Sequence, residues 1–310
     1  MTTENKNQRE SENFVELEGF VHDINIEETT VDGKEAITGE INIQVGDDSI
    51  HTINIFSYKI NKKGKESGLY KGYQTIKNEY KSINDHGKEC ADKVRIDEKS
   101  GGKISLNEYV GQDGEWKSYP KISASFINRL KSNDVFTPKA KFNLEMAVAS
   151  VKEEMKNDVE TGRAIIKGYV AGYEGKTVFP FEVVVADPQA VNYVTSTYEK
   201  GSTVTVYGDI INRTIETKKE IEAGFGKPQE KIDRKTVREF LVVGGSTPLE
   251  EDDERAFSAA FVKKGIKERE AMIEEKKAKK KVQTKKEESQ FNKDRDKGMI
   301  VDISDDSLPF

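Results

Sequence analysis

Cysteine and histidine are scarce in this chain of 310 residues: one cysteine, Cys90, and three histidines, His22, His51 and His86. A lone thiol excludes an internal disulfide and a cysteine-based zinc site, and the histidines are too scattered for a recognisable ligand motif, so no metal or other cofactor is expected. Long apolar runs are missing as well. None approaches the ~20 residues that span a bilayer, and the opening MTTENKNQRE is polar, which argues against a membrane anchor or a secretory signal and for a soluble, cytoplasmic protein. Enzyme signatures are equally thin. GFGKPQ at 224–229 lacks phosphate-loop spacing, GxGxxG does not occur, and the carboxylate pair Asp252 and Asp253 sits in charged, solvent-facing sequence. Neither catalysis nor a small-molecule substrate is expected.

Charge is what the chain has in abundance. Asp, Glu, Lys and Arg make up 34% of it for a net charge of −6, and the mean hydropathy is −0.73, so the polar excess must lie in segments that add little to a core. The length fits two modest domains with extensions. Net negative charge is unfavourable for holding phosphate, but the signs are segregated. Basic residues cluster in loops and between Lys263 and Lys286, while acids gather in the last dozen residues.

Residues 1–12 are polar and aperiodic and read as disordered. Alternation begins near Phe14: in NFVELEGFVHDINI, Val15, Leu17, Gly19 and Val21 share one face, as in a half-buried strand. AITGEINIQV and SIHTINIFSYKI follow, split by Gly46-Asp47-Asp48, which gives a three-strand meander. Leu69, Tyr73, Ile76, Tyr80 and Ile83 then recur at helical spacing, which assigns Tyr73 and Tyr80 to a core. Further strands at 94–96, 103–110, 119–130 and 141–151 complete a first domain, 13–156.

A second domain, 160–245, echoes the first: IKGYV at 166–170 repeats the aliphatic, charged, Gly, aromatic, Val order of LEGFV at 17–21. TVFPFEVVVAD, a short helix opening on Pro188, GSTVTVYGDIINR and TVREFLVVGG supply its other elements. Between the last two, 213–238 reads as a long loop with Lys218, Lys219, Lys227, Lys231, Arg234 and Lys235, either a mobile clamp on a phosphate backbone or a solvated loop. Thr247, Pro248 and Glu250 occupy N-cap, N1 and N3 places, so a charged helix is expected over 247–285 and a flexible acidic tail over 286–310.

The chain ends on MIVDISDDSLPF. Asp302, Asp305, Asp306 and the carboxylate of Phe310 would steer this end, with its Leu308-Pro309-Phe310 tip, toward a basic patch on a partner, while the ring of Phe310 enters an apolar pocket beside it. Such an ending resembles the acidic tip of bacterial and phage single-stranded-DNA-binding proteins, in which Asp-rich sequence followed by Pro-Phe recruits replication and repair enzymes. The element order in each half also resembles the five-stranded oligonucleotide-binding (OB) barrel. The resemblance implies a mainly β fold, with two tandem OB-type barrels followed by a charged helix and a disordered acidic tail. It further implies a protein that coats and protects single-stranded DNA during phage DNA replication, recombination and repair, and recruits partner proteins through its tip.

Holding single strands without sequence preference takes a cationic groove and flat rings for the bases. Outward strand positions offer both. Phe56 and Tyr58 precede Lys59, Lys62 and Lys63; Trp116, Lys117, Tyr119 and Lys121 follow the Asp113-Gly114 turn; Arg163, Lys167, Tyr169 and Tyr173 share one parity; and Tyr207 takes the outward parity of a later strand. Phe179 and Phe181 fit either face. The rival reading is an OB scaffold for protein assembly that binds no nucleic acid.

Overall fold

The computed structural model describes residues 9–221, 225, 229–250 and 252–297, with the backbone path alone at 217–221, 229–231 and 282–297. The opening meander is present as β1 (Asn13–Val31), β2 (Lys34–Gly46) and β3 (Ser49–Tyr58). Each strand turns alternate aliphatic residues inward, among them Val15, Leu17 and Val21 of β1, Ile41 and Ile43 of β2 and Ile53 and Ile55 of β3. Gly19 lets β1 coil tightly against β2, because a Cβ there would lie 2.3 Å from the Gln44 carbonyl oxygen.

Helix α1 (Gly68–Glu79) starts where the Ser67 hydroxyl accepts the Tyr70 N–H, and it buries Tyr70, Tyr73 and Ile76. The hydroxyl of Tyr73 donates to the Ala124 carbonyl at 2.9 Å and that of Tyr80 to Ile127 at 3.0 Å, so both tyrosines belong to the core as their spacing predicts. The short α2 (Ile83–His86) leads to β4 (Lys93–Ile96), β5 (Lys103–Val110), β6 (Trp116–Ser123) and β7 (Asn128–Arg129). β1 is antiparallel to β2 and β4, β2 to β3 and β5 to β6, while β3 and β6 run parallel at Ile53 and Ile122. Asn13 fastens β5 back to β1 by donating to Ile104 O at 2.7 Å and accepting Ile104 N–H at 2.9 Å.

The pattern then recurs. β8 (Lys139–Lys156), β9 (Val159–Ala171) and β10 (Val178–Val185) form a meander, α3 (Pro188–Thr197) follows with Asp187 as its N-cap, and β11 (Thr203–Ile221) and β12 (Gln229–Gly245) close the run. β12 lies parallel to β10 at Val184 and Leu241, and β11 pairs with both β12 and β8. Gly208 sits at the bulge in β11, where a Cβ would stand 1.9 Å from the Leu241 carbonyl oxygen. IKGYV therefore lies in the second strand of this run, whereas LEGFV lies in the first of the other. The strand that precedes it, β8, falls by sequence within 13–156, yet it pairs with β1 as well as with β9 and β11.

Three sequence expectations are corrected. Residues 9–12 are ordered: Arg9 holds the buried Glu145 through two bonds of 2.5 and 2.6 Å, and Ser11 exchanges backbone and side-chain bonds with Ala171. Residues 213–221 and 229–238, expected as loop, are paired antiparallel strands whose register runs from Val206 with Gly245 out to Ile221 with Gln229, because Thr and Ile interspersed with charged residues suit a two-stranded ribbon. The final helix, α4 (Ala259–Lys297), begins twelve residues beyond the Thr247-Pro248 signal and runs past 285. Backbone bonds from Leu249 to Thr203 O and from Ser246 to Thr205 O hold the Thr247 segment against β11, where helical backbone has no place. Residues 1–8 and 298–310, the latter carrying Asp302, Asp305, Asp306, Leu308, Pro309 and Phe310, lie outside the described residues.

A single apolar cluster runs through both halves, from Val15 and Ile53 to Val183 and Val242. Two charged pairs sit at its margin. Glu18, 2% exposed, accepts Arg95 Nε at 2.7 Å; burial pushes its carboxyl up, but the Arg95 and Thr137 N–H bonds and the charges of Arg95 and Lys139 outweigh this and hold it below the usual range. Arg9 completes the other with Glu145 and also lies 4.5 Å over the ring of Phe257, which stacks on Phe261 of α4. No helix among the described residues is long and apolar enough to cross a membrane.

Candidate nucleic-acid interface

Alternation along β3 buries His51, Ile53, Ile55 and Ser57 and turns Ile50, Thr52, Asn54, Phe56 and Tyr58 outward. Phe56 is 47% exposed and meets Tyr58 edge to face with centroids 5.0 Å apart. Lys34 Nζ lies 5.8 Å from the Tyr58 ring. Lys59 is committed elsewhere: its ammonium donates to both carboxylate oxygens of Glu35, at 3.0 and 3.2 Å, and this bond raises its pKa above the usual lysine value. Beyond it Asn61 Oδ1 accepts the N–H groups of Lys63 and Lys65, shaping a turn that leaves Lys62 and Lys63 in solvent. Neither has an ion pair among the described residues.

Hairpin β5–β6 has one open face and one covered face. On one, Tyr109 and Tyr119 are about half exposed with ring centroids 6.4 Å apart, beside Lys117 and Lys121. Lys117 pairs with Asp113 at 2.9 Å; Lys121 has no ion pair among the described residues. On the other face lie Glu108, Trp116 and Ser118, so Trp116 is separated from Tyr119 by strand parity. α4 covers this second face. Arg269 grips Glu108 with two hydrogen bonds, one of 2.8 Å, and Lys276 Nζ stands 5.5 Å from the Trp116 ring centroid. Burial pushes the Glu108 carboxyl up, yet its bonds from Arg269 and Ser118 keep it below its ordinary value.

In the second half, the outward cations of β9 are neutralised across the sheet. Arg163 pairs with Glu239 at 2.5 Å and Glu154 at 3.5 Å, and Lys167 with Glu182 at 2.6 Å. Tyr169 is half-buried opposite Pro180. Phe181 is buried and Phe179 packs against the core, so neither faces solvent as a site ring. Tyr207 is half exposed and lies across Gly244. Tyr173, 69% exposed, carries Lys176 Nζ at 5.9 Å from its ring. Tyr173 also faces the first half: a cavity of about 570 Å³ opens between Ser105 and Leu106 of β5, Tyr173 and Lys176, and Arg269 and Met272 of α4. The charge of Lys62 reaches Glu174 beside it.

The structure thus brings Phe56 and Tyr58 together, sets Tyr119 with Lys121, draws Tyr173 toward the first half, and leaves Arg163, Lys167, Tyr169 and Tyr207 apart. Sequence reasoning missed Tyr109, whose outward parity in KISLNEYV was its signal, and Phe225, 95% exposed at the turn of the β11–β12 hairpin. Among the described residues no group of three or more His, Cys, Asp or Glu side chains is placed to hold a metal ion.

The YorF family model matches residues 11–279. The chain belongs to the YorF family. That span takes in every strand and the packed part of α4 and excludes the acidic end. No curated protein matches the chain. Among solved structures, a deletion mutant of the single-stranded DNA binding protein from Thermus aquaticus aligns at 14% identity with a TM-score of 0.48, over 78% of this chain and 97% of that one.

Proposed function

We propose that the chain binds single-stranded DNA through two OB-type barrels in tandem. Strand order supports the architecture: β8, β9 and β10, then α3, then β11 and β12 with β12 parallel to β10 follow the plan of the five-stranded barrel, and the first half repeats it with β1, β2 and β3, α1, and β5 and β6 with β6 parallel to β3, adding β4, which pairs with β1, and β7, which pairs with β4. On this reading β8 opens the second barrel, and the boundary lies between β7 and β8 rather than at 156–160. The observation that carries the function is the outward surface of the first half. Phe56, Tyr58, Tyr109 and Tyr119 are displayed there with Lys34, Lys62, Lys63 and Lys121, none of which makes a close ion pair among the described residues, although the charge of Lys62 is felt by Glu174. Flat rings interleaved with unpaired ammonium groups suit stacked bases on a phosphate backbone. In the cell such a protein coats and protects single strands during replication, recombination and repair, and its terminal Asp-rich Leu-Pro-Phe segment recruits partner proteins.

Fluorescence anisotropy of labelled oligo-dT, duplex DNA and single-stranded RNA across a salt series tests this. Tight, salt-sensitive binding of oligo-dT with weak duplex binding is expected, and no binding at low salt overturns it. Removing 308–310 should leave oligo-dT affinity intact while abolishing capture of replication proteins; equal loss of both refutes the division of labour.

A further inference from the structure

The outer face of the β1–β2–β3 meander does not stay open along its whole length. Six residues from Phe56 along β3, ~20 Å at ~3.3 Å per residue, the β11–β12 hairpin crosses it: Asn212 Nδ2 donates to Ile50 O at 2.5 Å, Thr214 N–H to Asp48 O at 3.2 Å, and Arg213 pairs with Ser49. Beneath the crossing lies a second cavity, of about 340 Å³, whose lining is almost wholly polar. One row of it comes from the meander, with His22 and Asp23, Asn42 and Thr52; the other comes from the hairpin, with Thr236 and Arg238.

The hydrogen-bonding capacity of this groove is largely unspent. Asn42 accepts the Thr52 hydroxyl at 2.7 Å, which fixes its amide and leaves its Nδ2 group free to donate. Arg238 uses Nε on Asn212 Oδ1 at 3.2 Å, so its terminal nitrogens remain available. His22 Nδ1 is buried without a hydrogen bond, a cost the fold carries unless a ligand supplies the partner. Asp23 and Asp48 are carboxylates with no ion pair among the described residues. Two unpaired carboxylates against one guanidinium disfavour a phosphate here, whereas acceptors next to donors match the edge of a base.

We propose that this groove, built jointly by the meander and the hairpin, reads one base of the bound strand and takes an amino-bearing base in preference to thymine. The inference rests on the strand-binding reading above. The N4 amino group of cytosine donates to Asp23 or Asp48, and its N3 and O2 accept from Asn42 and Arg238. Thymine turns a carbonyl oxygen to the same carboxylates and an N–H to the same donors. Cytosine and thymine are of similar size and stacking area, so a difference between them isolates this edge.

The test is competition of equal-length oligo-dC and oligo-dT for the full chain at one salt concentration and neutral pH, repeated with Asn42→Ala and Asp23→Asn. Oligo-dC is expected to bind at least about fivefold tighter, and the ratio to fall toward one in both variants while thermal melting shows them folded. Equal binding of the two oligonucleotides by the unaltered protein overturns the inference and leaves strand binding standing. An undiminished ratio in both folded variants overturns it too, and failure to bind either oligonucleotide overturns the strand-binding reading itself.

Discussion

Lowering the pH from about 7.5 to about 5 is expected to cost the fold about 2 kcal/mol at one side chain, His51. His51 lies inside β3, 2% exposed, on the buried face of the strand and toward the end that the β11–β12 hairpin crosses, with the Ser49 hydroxyl 3.1 Å from Nε2. Burial lowers its pKa from 6.5 to about 4. An unfolded chain therefore takes up a proton in a range where the folded one cannot, and stability is whole above 6.5 and declines as the pH falls toward 4. Spread over the whole interval the loss is about 3 kcal/mol, most of it already incurred by pH 5. The carboxylates held below their ordinary values, Glu18, Asp97 and Glu108 among them, lose their contributions only at lower pH, and comparison with a variant lacking His51 separates this ring from His22 and His86. Urea unfolding at a series of pH values, with His51→Gln as the non-titrating comparison, should give a slope in the natural protein that the variant lacks. An NMR titration of the ring reads the same pKa directly. Constant stability across the interval, equal slopes in the two proteins, or a ring that titrates at its ordinary value would refute the reasoning.

Phe56→Ala and Tyr119→Ala should each weaken oligo-dT binding by about 1–3 kcal/mol, the contribution of one stacked base, in anisotropy titrations; unchanged affinity in both would remove the rings from the interface. Lys62→Ala, Lys63→Ala and Lys121→Ala should each reduce the salt dependence of binding by about one phosphate contact, whereas Lys167→Ala, whose charge is already balanced by Glu182, should change that slope least. Arg9→Ala should destabilise the fold by about 3 kcal/mol, because it strands the Glu145 carboxylate in a site only 5% exposed; a loss below 1 kcal/mol by urea unfolding would show that water replaces the guanidinium.

Local pattern carried much of this fold. Strict alternation from Phe14 to Tyr58 is enough to place a meander, and the apolar stripe of GLYKGYQTIKNEY is enough to place α1 and the buried Tyr73. What pattern cannot report is which strands meet across long separations. β8 reads as the last strand of one domain because its neighbour in sequence is, yet its partners β1 and β11 lie more than a hundred residues away on one side and about sixty on the other. The same blindness affects the site. Lys167 and Arg163 have the outward parity of a binding surface, but whether a lysine is available depends on the carboxylate facing it, and Glu239 is 76 residues from Arg163. Trp116 lay beyond reach for a related reason: its exposure is decided by α4, whose docking through Arg269 and Lys276 leaves no periodic trace near residue 116. The helix start at Thr247 fails where backbone bonding to β11 outcompetes a good capping sequence.

Sharing β8 between the halves has a mechanical consequence. Tandem barrels on a flexible tether sample many separations, and a strand bound to one finds the other only at some effective concentration. Here β1 and β11 both hydrogen-bond to the same strand, so the two halves keep one spacing and one relative rotation. On the strand-binding reading proposed above, an oligonucleotide long enough to span both halves meets a ruler rather than two beads, and affinity should rise with oligonucleotide length in a single step at that span instead of gradually.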